Sequence, residues 1–425
     1  MTLPRILAIM GSGETAPTMV TTHRRLTSLL APSVRAVVLD TPYGFQENAP
    51  ELARRAVEYF KTSINVELKV AGLVRMKDTH VKADPVDIER GLRNLTDANY
   101  VFAGPGSPTY ALRQWSGTSV AGILAEKLHT GGIVVFASAA ALTLGKATVP
   151  VYEIYKVGEN VAHLDGLDLL STIGINAAVI PHYDNAEGTN HDTRFCYLGQ
   201  TRLEMFESML DDDTFVLGID EHTGLVIDLD TQIATVVGNG TVTVRLRAQS
   251  QVFAVGDTLP LSFLQNPWSE VASILATPST INPQRAEHDG VDAPTLSLSA
   301  DTASAVADFE IAIRNADAHG AVRAVLSLEA AIRLWSSDTL QGDSADRAHA
   351  ALRSMISQLG EAATSGLKNP RDVIAPYVDA LITVRTIVRA EKRFDLSDVI
   401  RDIFAERGIE VRDTPEGVEW DLHVM

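Results

Sequence analysis

Short apolar runs separated by helix-length stretches recur over the first third of the chain, and they narrow the fold more than any other feature. Ile6-Leu7-Ala8-Ile9, Val34 to Leu39, the alternating Val66, Leu68 and Val70, Tyr100-Val101-Phe102-Ala103 and Ile133-Val134-Val135-Phe136 each have strand length. Between the second and third, Asn48-Ala49-Pro50-Glu51 has the form of a helix start: a capping Asn, an early Pro and a Glu three residues on. Leu52, Ala56, Val57 and Phe60 then recur at helical spacing. Strands that alternate with helices are joined by crossovers and lie parallel, with helices covering both faces. The pattern therefore predicts an α/β fold with a doubly wound, mostly parallel sheet, whose ligand sites lie at the carboxyl ends of the strands. Phe215 to Arg247 predicts antiparallel strands at the end of this domain, with a turn near Asp230-Thr231 and a hairpin at Asn239-Gly240.

Residues 261 to 300 lose periodicity and gather Pro, Ser, Asp and Asn, so the expected organisation is an α/β domain over 1–260, a linker over 261–300 and a helical domain over 301–425. Stripes such as Val322, Val325, Leu326 and Ala330, and later Val378, Leu381, Ile382 and Ile387, predict a separate all-α bundle there. No run of 18 apolar residues appears, and the start leads into a strand rather than a signal peptide, so a cytoplasmic protein with no membrane partner is expected. The one cysteine, Cys196, excludes an internal disulfide and a multi-cysteine zinc site. A formal net charge of -18 opposes broad attraction to nucleic acid or anionic lipid. His, Asp and Glu show no tight ligand spacing, so neither a metal nor a cofactor is expected.

Candidate chemistry gathers at predicted strand ends. The run Ile133 to Phe136 breaks at Ala137-Ser138-Ala139-Ala140-Ala141 and resumes as Leu142-Thr143-Leu144, which reads as strand, sharp turn and helix with Ser138 at the bend. A serine there can stand above the sheet edge as a nucleophile, while the N–H of Ala139 faces a developing oxyanion. Gly104-Pro105-Gly106-Ser107-Pro108 comes after another strand, and because Pro105 has no N–H, Gly106 is the second expected oxyanion donor. His182 directly succeeds Ala177-Ala178-Val179-Ile180-Pro181 and is the candidate base, with Glu153 or Asp184 as the acid that orients it. Gly11, Gly13 and Ala16 satisfy a dinucleotide-type spacing, but Pro17 stands where a phosphate-binding helix should already run. A tight turn is the expected role of those glycines.

Particular residues carry two resemblances. Phe102-Ala103-Gly104-Pro105-Gly106-Ser107, Ala137-Ser138-Ala139, Pro181-His182-Tyr183-Asp184-Asn185, Thr193-Arg194 and Gly218-Ile219-Asp220-Glu221 occur in the order seen in the dipeptidase E and cyanophycinase serine peptidases. Residues 3 to 250 thus resemble that family, within the class I glutamine amidotransferase-like superfamily. The resemblance implies Ser138 as nucleophile, His182 as base and Glu153 as triad acid. It places Arg194, Asp184, Asn185 and Glu221 on the substrate side, with Arg194 suited to a substrate carboxylate. The family's Gly-x-Ser-Ala-Gly is Phe136-Ala137-Ser138-Ala139-Ala140 here, which adds bulk at a turn that is normally tight.

The segment from Tyr377 through Ala390-Glu391-Lys392-Arg393-Phe394-Asp395 to Gly417-Val418-Glu419-Trp420 resembles the C-terminal, tRNA-binding helical region of cysteinyl-tRNA synthetase. The synthetase's catalytic motifs are missing, so charging of tRNA is not expected. Arg385, Arg389, Lys392 and Arg393 fall on one helical face that would either contact phosphates or lie solvated.

Together these features predict a serine hydrolase that cleaves an amide or ester of a small peptide-like substrate with an acidic group. The alternatives are a retired hydrolase fold that binds tRNA or regulates, and an aminoacyl-tRNA deacylase. A tRNA partner for the C-terminal helices and self-association into a homo-oligomer remain open expectations.

Overall fold

The computed structural model describes residues 2–77, 84–186, 191–269, 297–336, 344–365, 370–414 and 417–422. The chain divides into two compact units, Met1–Ala300 with Ile332–Ala345, and Asp301–Ala331 with Asp346–Met425.

In the first unit, β1 (Arg5–Met10), β2 (Ala36–Leu39), β3 (Leu68–Val70), β4 (Tyr100–Ala103) and β5 (Gly132–Ala137) lie parallel in the spatial order β1-β5-β4-β2-β3. Side chains alternate between two faces. Leu7, Ile9, Val37, Val101, Val134 and Phe136 pack with Leu95, Trp115, Leu124 and Leu128 from helices Pro85–Asp97, Pro108–Trp115 and Val120–Thr130. On the other face, Ile6, Ala8, Val38, Phe102, Ile133 and Val135 pack with Leu26 of helix Val20–Ser28 and with Ala56 and Tyr59 of helix Ala49–Tyr59. Burying a Leu, Ile or Val side chain is worth about 1.5–3 kcal/mol. With both faces covered, the inner strands β1, β2, β4 and β5 gain this along nearly their whole length, which is why they read as continuous apolar runs, whereas the edge strand β3 leaves Lys69 exposed. The fold is doubly wound, as the alternation predicts.

A short ladder joins β6 (Ala147–Thr148) and β7 (Leu164–Asp165). Further on come β8 (Ala177–Ile180), β9 (Phe215–Ile219), β10 (Thr223–Asp228), β11 (Ile233–Gly238), β12 (Thr241–Leu246), β13 (Gln249–Ala254) and β14 (Thr258–Pro260). β10, β11 and β14 extend the main sheet antiparallel from β1, with the expected turn between β10 and β11. A second sheet has the order β13-β12-β9-β8, in which β8 and β9 run parallel.

The hairpin expected at Asn239-Gly240 is absent. β11 and β12 belong to different sheets, and the glycines there serve the crossing between them. Gly238 has φ +103, and a Cβ on it would stand 2.2 Å from the His222 carbonyl. Leu261–Gln265, the start of the stretch read as a linker, is a helix with Leu261, Phe263 and Leu264 buried. Residues 270–296 of that stretch lie outside the described residues.

The second unit holds most or all of helices Leu298–Arg314, Ala318–Trp335, Ser344–Ser365, Pro370–Ala390 and Phe394–Glu406. It is not all-α, because β15 (Ile409–Thr414) and β16 (Gly417–Leu422) form an antiparallel hairpin. Val378, Phe404, Ile409 and Trp420 are buried together beside that hairpin. The expected stripe in helix Ala318–Trp335 is inverted: Val322 and Leu326 are exposed, whereas Ala321, Ala324 and Leu328 are buried. Leu381 and Ile387 are likewise exposed.

The basic face is a structural one in part. Arg385 is 1% exposed and makes a bidentate pair with Asp413 at 2.7 and 2.9 Å, and Arg389 reaches the same carboxylate at 2.6 Å. Hydrogen bonding from Arg385 holds the Asp413 carboxyl down, to about 2. Arg393 pairs with Asp395. Removing Asp413 strands a buried guanidinium, whereas removing Arg389 breaks one exposed pair. Asp413 is itself nearly half exposed, with side-chain exposure of 45%. Asp413→Ala is therefore expected to cost about 2 kcal/mol, less than a fully buried pair, and Arg389→Ala under about 1 kcal/mol. Chemical denaturation of the full chain measures both, and equal losses would contradict this division.

Candidate active site

β5 ends at Ala137, and the chain turns at Ser138 with φ +50 into the short helix Ser138–Leu142. The turn forms despite the bulk of Phe136 and Ala140 beside it. Phe136 is directed into the core against Trp115, ring centroids 5.9 Å apart, and Ala140 is fully buried with its N–H donating to the Gly104 carbonyl at 3.2 Å.

His182 lies two residues beyond β8, also at positive φ, +49. The contact between its Nε2 and Ser138 Oγ is 2.9 Å. Its Nδ1 lies 2.9 Å from Glu221 Oε1. With Glu221 ionised, Nδ1–H donates to that carboxylate, which leaves Nε2 to accept from the serine hydroxyl.

The acid beside the imidazole is therefore Glu221, not Glu153. Because β8 and β9 are adjacent and parallel, with Ile180 opposite Gly218, the segments after them meet. The Glu153 side chain stands apart from His182 at the first position of the helical turn Glu153–Val157. Its Oε2 is buried without a hydrogen-bond partner among the described residues.

Asp184 and Asn185, expected on the substrate side, instead hold this acid. Asp184 Oδ1 accepts from the Glu221 N–H at 2.7 Å, and Asn185 Nδ2 donates to Glu221 Oε1 at 3.1 Å. Although Asp184 reaches solvent, the protein around its carboxyl desolvates it and the Asp220 charge repels it, so it is pushed up to about 7. The glycine-rich loop closes against the same segment. A Cβ on Gly11 would fall 2.1 Å from the Asp220 carbonyl, and one on Gly13 the same distance from His222 Nδ1. Close approach explains those glycines.

Gly106 lies beyond β4 with φ +137, and a Cβ there would lie 2.1 Å from the Pro42 carbonyl, so no other residue fits. Ala139 occupies the second position of its helix, where an N–H has no intrahelical acceptor. Gly106, Ser138, Ala139 and His182 line one cavity of about 280 Å³.

Arg194 does not line it. Its guanidinium makes a bidentate pair with Asp192, both bonds 2.8 Å, and lies over the Phe195 ring. The basic residues that line the cavity are Arg55 and Lys156. Among the described residues, no group of three or more His, Cys, Asp and Glu could hold a metal ion, and no helix is long and apolar enough to cross a membrane.

No family model matches the chain. The N-terminal region is similar to the crystal structure of a peptidase from an acI-B1 Actinobacterium, at 20% identity and a TM-score of 0.49, covering 61% of this chain and 98% of that one. A short C-terminal segment is similar to cysteine–tRNA ligases. One, from Carboxydothermus hydrogenoformans, is 49% identical over 47 residues, which is 11% of this chain and 10% of the ligase. Another, from Nitratidesulfovibrio vulgaris, is 58% identical over 45 residues, 11% of this chain and 9% of the ligase. The chain spans about a tenth of the length of these curated relatives.

Burial disfavours the His182 imidazolium, but the Glu221 hydrogen bond and charge together outweigh it, so the ring's pKa is raised. Burial opposes the Glu221 carboxylate, but the hydrogen bond and charge of His182, with the Asn185 bond and the His222 charge, together outweigh it, so the carboxyl is held down. An NMR titration of the ring protons is expected to give a midpoint above the ordinary 6.5. Glu221→Gln is expected to lower it, since the desolvation is then opposed only by the Glu14 and Asp184 charges. A midpoint that Glu221→Gln leaves in place would contradict the pairing. In linkage terms, the raised pKa gives stability that is complete below the unfolded value and is lost as pH rises through the folded one.

Proposed function

We propose that the chain is a serine hydrolase that cleaves an amide or ester through Ser138, His182 and Glu221. One observation carries this reading: the unbroken relay of two 2.9 Å contacts from Ser138 Oγ through the imidazole to Glu221, opening on a cavity. Neutral His182 takes the Ser138 proton as Oγ bonds to the substrate carbonyl carbon. The N–H groups of Gly106 and Ala139 stabilise the oxyanion. When the carbonyl re-forms, the bond to the leaving group breaks, and His182 delivers the proton to it. Water then attacks the acyl-enzyme by the same route and frees Ser138.

A cavity of about 280 Å³ suits a small, peptide-like substrate. Arg55 is paired with Glu51 as Arg194 is with Asp192, which leaves Lys156 as the cavity's cation for a substrate carboxylate. A tRNA-binding role for the C-terminal unit is supported by its similarity to the ligase segment. Against it, Arg385 and Arg389 are engaged by Asp413. Deacylation of an aminoacyl-tRNA ester would use the same serine chemistry.

A fluorophosphonate probe tests the hydrolase reading. Labelling confined to Ser138 is expected, abolished by Ser138→Ala and His182→Ala and unchanged by Arg194→Ala. Glu221→Gln is expected to lower kcat/KM by roughly 10²–10⁴ on any ester that the chain turns over. No labelling of the folded wild-type chain would overturn it.

A further inference from the structure

Beside the serine cavity lies a second one of about 490 Å³, and Gly106 and Lys156 line both. A group seated in the second cavity is therefore adjacent to a carbonyl held at Gly106. Its walls combine three kinds of chemistry. Phe45 and Tyr152 present rings that are 46% and 36% exposed. Phe45 is braced by Tyr110, ring centroids 5.4 Å apart, and the Tyr110 hydroxyl is fixed by donating to the Val74 carbonyl at 2.8 Å. Arg113 and Lys156 bring two positive charges, and neither has a carboxylate partner among the described residues. Two such cations converge here although the chain as a whole carries a formal net charge of -18. The third is Glu153, a carboxylate that lines this cavity.

A flat ring stacks on exposed aromatic side chains, a phosphate pairs with two cations, and a hydroxyl donates to a carboxylate oxygen. A nucleotide carries all three groups. We propose that the second cavity binds a nucleoside monophosphate unit of the substrate, the part released when Ser138 takes the acyl group. The inference rests on the hydrolase reading for the bond that is cut. The Ser138 Oγ–carbonyl bond forms, the bond from that carbonyl carbon to the ribose oxygen breaks, and the ribose oxygen leaves with the proton that His182 took from Ser138. The remaining ribose hydroxyl is the donor to Glu153.

The test is AMP binding to the full chain carrying Ser138→Ala, measured by calorimetry, so the readout needs no turnover. Saturable binding with a Kd below about 1 mM is expected. Arg113→Ala with Lys156→Ala is expected to weaken it by about tenfold or more, and Phe45→Ala to weaken it as well. Inorganic phosphate and adenosine, titrated separately, are each expected to bind less tightly than AMP. Absence of saturation by AMP, phosphate binding as tight as AMP, or binding indifferent to the Arg113 and Lys156 changes would each overturn the inference. Those results would leave the hydrolase reading standing on its own labelling experiment.

Discussion

The hydrogen bond between Glu221 and His182 depends on a pairing of two short strands. β8 and β9 are four and five residues long and parallel, so their carboxyl ends deliver His182 and Glu221 to one point. The residues just beyond each strand hold that point in place: Asp184 accepts from the Glu221 backbone, Asn185 donates to its carboxylate, and the Tyr183 N–H donates to the Ile219 carbonyl at 3.1 Å. The loop at Gly11 and Gly13 closes against the same residues from the main sheet. Ser138 arrives from that main sheet, so the relay joins the main sheet to the one that holds β8 and β9. A shift of about an ångström between them would break the 2.9 Å contact with the imidazole, since proton transfer needs hydrogen-bond distance.

Positive φ recurs at this junction, at Ser138, His182 and His222, and again at Phe195, Cys196 and Tyr197. Non-glycine residues adopt this region at a cost of order 1–3 kcal/mol each, which the surrounding packing must offset. Here the packing is dense: Leu142, Val149, Ile154, Ile180, Leu203 and Phe206 are buried in one cluster beneath the segment. The strain turns the Ser138 and His182 side chains toward each other above the sheet ends.

The parallel sheet was legible in the sequence because strands buried on both faces have to be apolar throughout, and Ile133 to Phe136 or Tyr100 to Ala103 can be little else. Ser138 and His182 were legible for a related reason, as each comes directly after such a run. Glu221 was visible as part of Gly218-Ile219-Asp220-Glu221, but its role was not, because it depends on which strands are neighbours. Nothing local states that residues 177–180 pair with 215–219. The same limit explains Arg385, whose partner Asp413 lies 28 residues on in a hairpin. It also explains Asn239-Gly240, where a turn signal marks a passage between sheets. In helix Ala318–Trp335 the buried stripe runs through Ala321, Ala324 and Leu328, displaced from the expected Val322, Val325 and Leu326, because small alanines can pack inward as well as large side chains.

In the proposed hydrolysis Ser138 forms a covalent acyl intermediate, with Glu221 acting through His182. Rapid-quench mass spectrometry of the intact chain during turnover of an activated ester reads that event directly. An acyl adduct on Ser138 is expected within the first turnover, forming more slowly in Glu221→Gln and not at all in Ser138→Ala. Product release with no adduct on Ser138 at any time, or an adduct on Cys196 instead, would contradict it.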